Sequence, residues 1–279
     1  MKSIQWSLVT IIAALLGTSA HAGLQEPAKA PTALEILEKA EQAFYYAGGD
    51  MKAKVNMDLL TESGKKRSLV LTMLRKNDSK TRDQKYFMYF HEPGDVRRTG
   101  FLVWKYPEKD DDRWVFIPAV NAVRRVAASD SRSSFVGSDF TYEDLSGRDL
   151  PADTHSLVKE EKLGDADCFV VHSVPKSAAE YTKKLAWIDK KTFLPRKEEY
   201  YDAQNELARV FTAEAIEDVT VGEGAAKKTV PTVTKRSMKN VKSGHRTDVR
   251  FTTIAYDVGL EDDVFTERAL QNAPQKWIR

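Results

Sequence analysis

The sequence lacks most of the features that reveal a function directly. It contains a single cysteine, Cys168, in 279 residues, so an intramolecular disulfide is excluded. The neighbours Phe169, Val170 and Val171 are apolar, which indicates a buried strand residue rather than a reactive thiol. Side-chain packing must therefore stabilise the fold.

An excess of charge of one sign is also absent. The chain has 43 Lys and Arg against 41 Asp and Glu, for a formal net charge of +2. That value falls to +1 if Lys2 is removed with an N-terminal segment. A chain with balanced and mixed charge does not indicate a nucleic-acid-binding surface. We therefore expect no nucleic acid partner.

Motifs for catalysis and metal binding are missing as well. His91, His155, His172 and His245 are scattered, with no H-E-x-x-H helix. No G-x-S-x-G elbow surrounds a serine, and Asp110–Asp112 lack the spacing of a calcium loop. We expect a protein that is not an enzyme and that has neither metal nor cofactor. A hydrolase built from distant residues stays open, because catalytic triads are recognised by geometry.

The one long apolar run stands near the N-terminus. Leu8–Leu16 follows the basic residue Lys2, and small residues precede a predicted cut after Ala22. The run is far shorter than the roughly 20 residues of a membrane-spanning helix, so a retained anchor is disfavoured. The sequence predicts a cleaved signal peptide at residues 1–22, a linker at 23–31 and localisation to the periplasm.

A capped helix is predicted after the linker. Thr32 and Glu35 form a capping-box pattern, and Gly48-Gly49 stops a helix that we expect to reach Ala47. Apolar residues recur along it at helical spacing: Leu34, Leu37, Ala40 and Phe44. This apolar face packs on a core or lies across a cavity as a lid.

Short strands follow the helix. Met51 to Leu59 alternates apolar and polar residues, which is typical of a strand with one buried face. Later runs are separated by hairpin-length turns and predict further strands: Leu69–Leu74, Tyr86–Phe90, Phe101–Tyr106, Trp114–Ile117, Ser156–Leu163, Cys168–Val174, Lys184–Asp189, Pro195–Asp202, Leu207–Ile216, Val230–Asn240 and His245–Asp257. The pattern predicts a mainly β (α+β) antiparallel meander in one domain, residues 32–279.

Three connecting segments carry separate predictions. Gly222-Glu223-Gly224 is expected to be a hairpin loop, and Asp189 to Thr192 a turn. The end of the chain, Leu260–Leu270, predicts a short helix that closes one end of the sheet.

The segment from Asp112 to Leu150 joins an apolar strand to a polar loop with aromatic residues. Within the loop, Thr141 and Asp144 have the spacing of a helix cap. We expect arginine–carboxylate pairs to hold the loop, with Arg132 or Arg148 bound to Asp139 or Glu143.

A family resemblance rests on two motifs. Asp112–Pro118 (DRWVFIP) and Ser134–Asp144 (SFVGSDFTYED) are similar to the outer-membrane lipoprotein-sorting protein family, a branch of the LolA/LolB-like periplasmic lipoprotein-carrier superfamily. The element order over the mature chain resembles it too. The resemblance implies an incomplete antiparallel β-barrel of about eleven strands, wrapped around an apolar cavity covered by helices. In such proteins the cavity takes acyl chains.

The resemblance then implies which residues to examine. The candidates for lining a lipid-binding cavity are Met57, Leu59, Leu71, Met73, Phe87, Tyr89, Phe101, Val103, Trp114 and Phe116. Flexible methionines suit a site that must accept chains of varied shape, although ordinary core packing explains each residue equally well. Phe135, Phe140 and Tyr142 are the candidates for the cavity mouth or a partner contact. Superfamily carriers use a cavity arginine to influence cargo retention, but the sequence does not identify the corresponding residue.

The expected function is a soluble periplasmic carrier, or chaperone, for the acyl chains of a lipid or lipoprotein. It would move them toward the outer membrane and contact membranes transiently. Its expected partners are an inner-membrane transporter and an outer-membrane acceptor. Two alternatives remain: a lipid-binding accessory of an RND-family exporter, and an envelope interaction protein that carries nothing.

Overall fold

A computed structural model describes residues 30–127, 130, 132–222 and 227–279. The chain separates into two units, Met1–Ala30 and Pro31–Arg279, and every element below belongs to the second. The predicted signal peptide therefore lies outside the described residues. In the described part of the chain, no helix is long and apolar enough to cross a membrane.

Thirteen strands form the sheet in the described residues. They are β1 Asp50–Leu60, β2 Lys66–Asn77, β3 Gln84–Glu92, β4 Gly100–Lys105, β5 Asp112–Ile117, β6 Ala122–Val126, β7 Asp153–Leu163, β8 Ala166–Pro175, β9 Lys183–Asp189, β10 Pro195–Tyr201, β11 Leu207–Val221, β12 Lys228–Asn240 and β13 Arg246–Tyr256. Four α-helices accompany them: α1 Ala33–Phe44, α2 Tyr142–Ser146, α3 Glu267–Gln271 and α4 Gln275–Ile278.

The strands form one antiparallel sheet in the order β6-β5-β4-β3-β2-β1-β13-β12-β11-β10-β9-β8-β7. Consecutive strands are neighbours in the sheet, except β6 and β7, which lie at opposite edges. The two halves of the chain are joined by the pairing of β1 with β13, for instance Met57 with Val249. The sheet is open, with β6 and β7 at its edges. The fold class is mainly β as predicted, but the expected width of about eleven strands is not confirmed.

The strand that sequence reasoning missed is β6. Its two central residues, Arg124 and Arg125, are exposed, and it pairs on one side only, with β5. An exposed edge strand needs no apolar stripe, so its sequence lacks the signal by which the other strands were recognised.

The sheet curls around its inner face, which we define by one large cluster of buried apolar residues. This cluster includes Phe101 of β4, Met57 of β1, Val249 of β13 and Tyr200 of β10. Five strand spacings separate β2 from β10, which amounts to about 24 Å in a flat sheet. Because Met73 of β2 and Leu194, directly before β10, nevertheless line one cavity, the sheet must bend toward this face.

The C-terminal segment covers the opposite, outer face. Val264, Phe265 and Leu270 pack against Leu74 of β2 and Phe87 of β3. The backbone carbonyl of Phe265 also accepts a hydrogen bond of 3.0 Å from Trp104 Nε1. The prediction of a short terminal helix is thus met by α3, but this segment packs on the outer face instead of closing an end of the sheet.

Helix α1 begins as its sequence predicts. Thr32 accepts from the Glu35 amide and the Glu35 carboxylate accepts from the Thr32 amide, which completes the capping box. The helix ends at Phe44, three residues before the predicted Ala47. Its buried residues pack on β8 and β9, where the contacts are Phe169, Val171, Ala186 and Ile188.

Two predicted connections can be compared with the structure. Asp189 Oδ1 accepts from the amides of Lys191 and Thr192, at 2.8 and 3.0 Å, which makes the predicted turn. The predicted loop Gly222-Glu223-Gly224 extends beyond the described residues after Gly222.

Candidate functional site

Two cavities lie on the inner face of the sheet. Helix α1 approaches the sheet there, together with the loop between β6 and β7 that contains Phe135, Phe140 and α2, which we call the central loop. The first, which we call the helix cavity, is lined by α1, α2 and the strands β9 and β10. The second, the arginine cavity, is lined by β1, β2, β3, β12 and β13. Phe44 and Tyr45 line both cavities, so the end of α1 forms the partition between them.

Tyr45 is held at this partition by the central loop. Its hydroxyl donates to the backbone carbonyl of Asp144 at 3.4 Å. A Cβ atom placed on Gly147, which has a φ of +82°, would lie 2.9 Å from the Tyr45 ring. A side chain at position 147 would therefore push the tyrosine away and change the partition.

The arginine cavity combines apolar walls with two guanidinium groups and several hydroxyls. Met51, Met73 and Phe251 form apolar wall, and Arg75 and Arg236 extend into the cavity from β2 and β12. The hydroxyl-bearing wall residues are Tyr45, Tyr86, Thr232 and Tyr256. Apolar wall with a few convergent polar groups is typical of a small-molecule site.

Arg236 is surrounded by aromatic rings. Its guanidinium carbon lies 4.9 Å from the centre of the Phe251 ring, 5.4 Å from Phe44 and 5.5 Å from Phe140. Among the described residues, none accepts a hydrogen bond from Arg236 or forms an ion pair with it, and its Nε is buried without a partner. Burial lowers the pKa of this guanidinium below its ordinary value. The half-buried guanidinium thus has no bound counter-charge in the part of the chain that the structure describes.

Arg75 is more deeply buried, with 4% of its surface exposed. Its Nη2 donates to the carbonyl of Ala47, whereas its Nε is buried without a partner. Burial also lowers the pKa of Arg75. This arginine is therefore half satisfied by the backbone that follows α1.

Carboxylates near the two arginines are bound elsewhere. Asp144 accepts from Arg209 Nη1 and from the Thr141 amide, both at 2.8 Å. Asp50 accepts from three consecutive backbone amides, those of residues 258–260, at 2.7 to 2.9 Å. Neither carboxylate is an ion-pair partner of the cavity arginines.

A polar network holds the central loop beside the helix cavity. Arg209 of β11 bridges Asp144 and Glu180, at 2.8 Å each, and donates to the carbonyl of Asp139. Burial raises the pKa of Glu180 to about 7 against the opposing effect of Arg209.

The expected pairing within this loop is partly present. Arg148 binds Glu143 at 3.0 Å, as predicted, and the predicted Thr141–Asp144 cap forms at α2. Asp139, however, pairs with His245 at 2.7 Å and accepts from the Thr247 hydroxyl. The partners of Asp139 come from β13 and its preceding turn, over a hundred residues away in sequence, so local spacing did not reveal them.

The His245–Asp139 pair is the feature nearest to a hydrolase arrangement. In the described part of the chain, the second imidazole nitrogen, Nε2, has no hydroxyl within hydrogen-bond distance, and Ser243 contacts only the backbone amide of His245. The pair joins the central loop to β13.

The ten predicted cavity residues divide between the two faces. Six belong to the inner cluster: Met57, Leu59, Leu71, Met73, Phe101 and Val103. Of these, Met73 lines the arginine cavity. The other four, Phe87, Tyr89, Trp114 and Phe116, pack with the C-terminal segment on the outer face. Successive strand residues point to opposite faces, so the expectation that these four share a cavity with Met73 is corrected.

The predicted mouth residues are packed inward. Phe135 and Phe140 are 1% and 3% exposed, and Tyr142 is partly buried against the same cluster. In this conformation Phe135 and Phe140 are not available to a partner protein. Phe140 instead contributes a ring beside Arg236.

Sequence reasoning did not identify Arg75, Tyr86, Arg236 or Phe251 as cavity residues. The arginines lie in strands with many other charged residues, and only the curl of the sheet places them inside. The available signal was an arginine at a position where strand alternation predicts an inward-facing side chain. The bulges in the β11–β12 pairing interrupt this alternation.

An open antiparallel sheet curled around interior cavities, with helices on both faces, defines a LolA-like fold, and solved structures share it. A DUF1329 family protein from Desulfovibrio piger is 27% identical, with a TM-score of 0.75, over 85% of this chain and 95% of that one. A Vibrio parahaemolyticus structure, named as an outer membrane lipoprotein-sorting protein domain, is 26% identical, with a TM-score of 0.75, over 86% and 98%. A LolA superfamily protein from Nitrosomonas europaea, 21% identical over 86% and 99%, has a TM-score of 0.64 and shares the fold.

A protein-family model described as "-like: Uncharacterized protein" matches residues 82–272. This is more than half of the chain, which therefore belongs to that family. The comparison with curated proteins gave no match. The expected resemblance to lipoprotein-sorting and LolA superfamily proteins is confirmed.

Proposed function

We propose that this protein is a soluble periplasmic carrier that binds acyl chains of a lipid or lipoprotein inside the curled sheet. It moves them toward the outer membrane. The observation that carries the proposal is the pair of adjoining cavities within a fold shared with a lipoprotein-sorting domain.

The physical reason for such a carrier is the cost of exposing an acyl chain to water. Each methylene withdrawn from water contributes about 0.8 kcal/mol, so a sixteen-carbon chain needs shielding on the order of 10 kcal/mol. The inner-face methionines Met51 and Met73 suit this use, because their side chains adapt to chains of different shape.

Loading requires a change at the partition between the cavities. Phe44 and Tyr45 separate them, and the hydrogen bond from the Tyr45 hydroxyl to the Asp144 carbonyl is long, at 3.4 Å. A small displacement of the α1 end joins both cavities into one channel for an acyl chain. This supports a covering role for α1, which the sequence offered as one of two alternatives.

The first experiment identifies the cargo. Mature protein is purified from its native periplasm, and bound lipids are identified by mass spectrometry; it is then tested for extraction of labelled lipid from vesicles. We expect an acyl-chain compound to co-purify and extraction to occur. Protein that is empty and also extracts nothing would contradict the proposal.

A matched pair of variants ties extraction to the cavity. Met73→Trp fills the arginine cavity and is expected to reduce extraction, whereas Val120→Trp adds the same ring at a site that is 57% exposed and leaves extraction unchanged. Equal extraction by both variants would place the cargo elsewhere.

The proposed exchange partners are an inner-membrane transporter that loads the carrier and an outer-membrane acceptor. An accessory of an RND-family exporter is the alternative within the lipid-binding class. Photo-crosslinking from the exposed edge strand β6 in intact cells separates the two, since it identifies whether the contacted transporter is of the ABC or RND type. Contact with neither type would favour the third expectation, an envelope interaction protein.

A further inference from the structure

The arginine cavity contains a positive charge that no described residue pairs with a negative one. The five N–H donors of a guanidinium have no acceptor at Arg236 among the described residues, and its Nε is buried. Three aromatic rings surround it. Cation–π contacts stabilise a guanidinium, but they satisfy none of its N–H groups.

Such an arrangement is costly in the empty protein. Removing an ion from water is costly, and a buried charge without a partner destabilises a protein. The carboxylate that acts on Arg236, Asp144, is bound by Arg209. Glu214 and Asp248, which line a separate groove with Arg236, are bound by Arg246. A ligand with an anionic group would supply the missing acceptor.

Arg75 places a second positive charge in the same cavity. It lines the cavity together with Arg236 and Tyr86, and its Nε also has no partner. Apolar wall is supplied by Met51, Met73 and Ile254. A ligand that matches both features has one anionic head and one apolar chain.

Arg236 also lies where two strands separate. Backbone pairing between β12 and β13 is continuous from Lys239–Arg246 to Lys235–Arg250 and then ends. Beyond that point, Phe251 and Ile254 line both the arginine cavity and the gap between the strands. The gap is thus separated from the arginine cavity by the side chains of Phe251 and Ile254, on the side away from the α1 partition.

We propose that the arginine cavity binds a single-chain amphiphile by its anionic head, with Arg236 as the head-group ligand and the chain along the apolar wall. This inference rests on the proposed function and specifies the chemical class of its ligand. The shared chemistry is an anionic oxygen group on one acyl or alkyl chain, either a carboxylate or a phosphate. The anionic head group is bound within the cavity, because the Arg236 guanidinium lines it.

The test compares four ligands of equal chain length by isothermal titration calorimetry with delipidated full-length mature protein: palmitate, hexadecyl phosphate, hexadecanol and hexadecyltrimethylammonium. We expect at least one anion to bind ten-fold or more tightly than the neutral alcohol, and the cation to bind most weakly. The tighter anion identifies whether the head is a carboxylate or a phosphate.

Variants at Arg236 test whether this residue causes the tighter binding of an anion. Arg236→Met should remove the preference for the anion while leaving binding of hexadecanol, and Arg236→Lys should retain part of the preference. The matched control Arg124→Met removes an exposed arginine of the edge strand β6 and should keep the full preference. Removal of an uncompensated buried charge should also leave Arg236→Met at least as stable as the parent protein.

The outcomes separate this inference from the proposed function. Equal affinity for all four ligands overturns the anion site but retains an acyl-chain carrier. A preference that persists in Arg236→Met overturns the role of this residue. If the protein binds none of the four ligands and also extracts no lipid from vesicles, the carrier proposal itself is contradicted.

Discussion

Phe135 packs on Phe101 with ring centroids 5.1 Å apart and an interplanar angle of 61°. The first residue belongs to the central loop and the second to β4, so this contact joins the loop to the inner face. Phe90 and Tyr142 add their rings to the same group, at 6.0 and 5.6 Å from Phe135. The loop is thus part of the core instead of a mobile rim.

Replacement of Phe135 by alanine should therefore destabilise the protein. We expect Phe135→Ala to lower the free energy of unfolding by about 3 to 5 kcal/mol, as for other large buried aromatic residues, measured by urea denaturation. Val120→Ala, at an exposed position, should change it by about 0.5 kcal/mol or less. A loss at Phe135 no larger than that at Val120 would show that the loop does not contribute to the core.

Tryptophan fluorescence tests which face receives cargo. Trp114 lies on the outer face, with its ring 5.2 Å from Trp104. In a variant that keeps Trp114 alone, binding of acyl cargo should leave the emission spectrum unchanged. The same background with Phe251→Trp and Trp114→Phe should show a spectral shift, because position 251 lines the arginine cavity. A shift for Trp114 and none for position 251 would move the binding site to the outer face.

Asp189 should contribute stability that depends on pH. Burial would raise its pKa, but hydrogen bonds from the Thr192 amide, the Arg196 guanidinium and the Lys191 amide outweigh burial and lower it. A carboxyl group whose pKa is lowered on folding stabilises the protein above its unfolded pKa of about 3.9, and this contribution is lost as pH falls through the folded pKa.

We expect Asp189→Asn to lower the free energy of unfolding by about 1.5 to 3 kcal/mol at pH 7, since bonds to a charged group are lost. The difference in the free energy of unfolding between Asp189→Asn and the parent protein should become smaller below pH 4. Urea denaturation at pH 7 and pH 3 measures both values, with Asp165→Asn in an exposed turn as the control. A difference that stays constant with pH would exclude the charge as its cause.

Cys168 should be unreactive in the native protein. Its side chain is 0% exposed, and burial raises the pKa of its thiol to about 11. At pH 8 the thiolate fraction is then about 200-fold below that of an unfolded cysteine. Labelling with a chromogenic disulfide reagent should be slow without urea and fast in urea. Rapid labelling of the folded protein would mean that β8 opens readily.

The elements that sequence reasoning located are those whose signals are local. The Thr32–Glu35 and Thr141–Asp144 caps form as expected, because each needs only residues three apart. The end of α1 was misplaced by three residues, since Phe44 and Tyr45 turn toward the cavities through contacts with distant strands. Edge strand β6 was missed because its exposed arginines carry no apolar pattern.

Only the tertiary structure shows which face of each strand lines the cavity. Phe87 and Met88 are adjacent, equally buried and both apolar, yet Met88 belongs to the inner cluster and Phe87 to the outer one. Alternation identifies two faces, but when both are apolar it does not say which one encloses the cavity. For the same reason, the sequence did not show that Arg75 and Arg236 face the cavity.

By itself the sequence determined an antiparallel meander with a capped helix, a central aromatic loop and a resemblance to lipoprotein-sorting proteins, because hydrophobic periodicity and capping depend on near neighbours. Only the tertiary structure decided that the loop is packed inside and that Arg209 holds it to β11. It also decided that Arg236 lines a cavity with no ion-pair partner among the described residues. Those relationships join residues far apart in the chain and arise when the sheet curls.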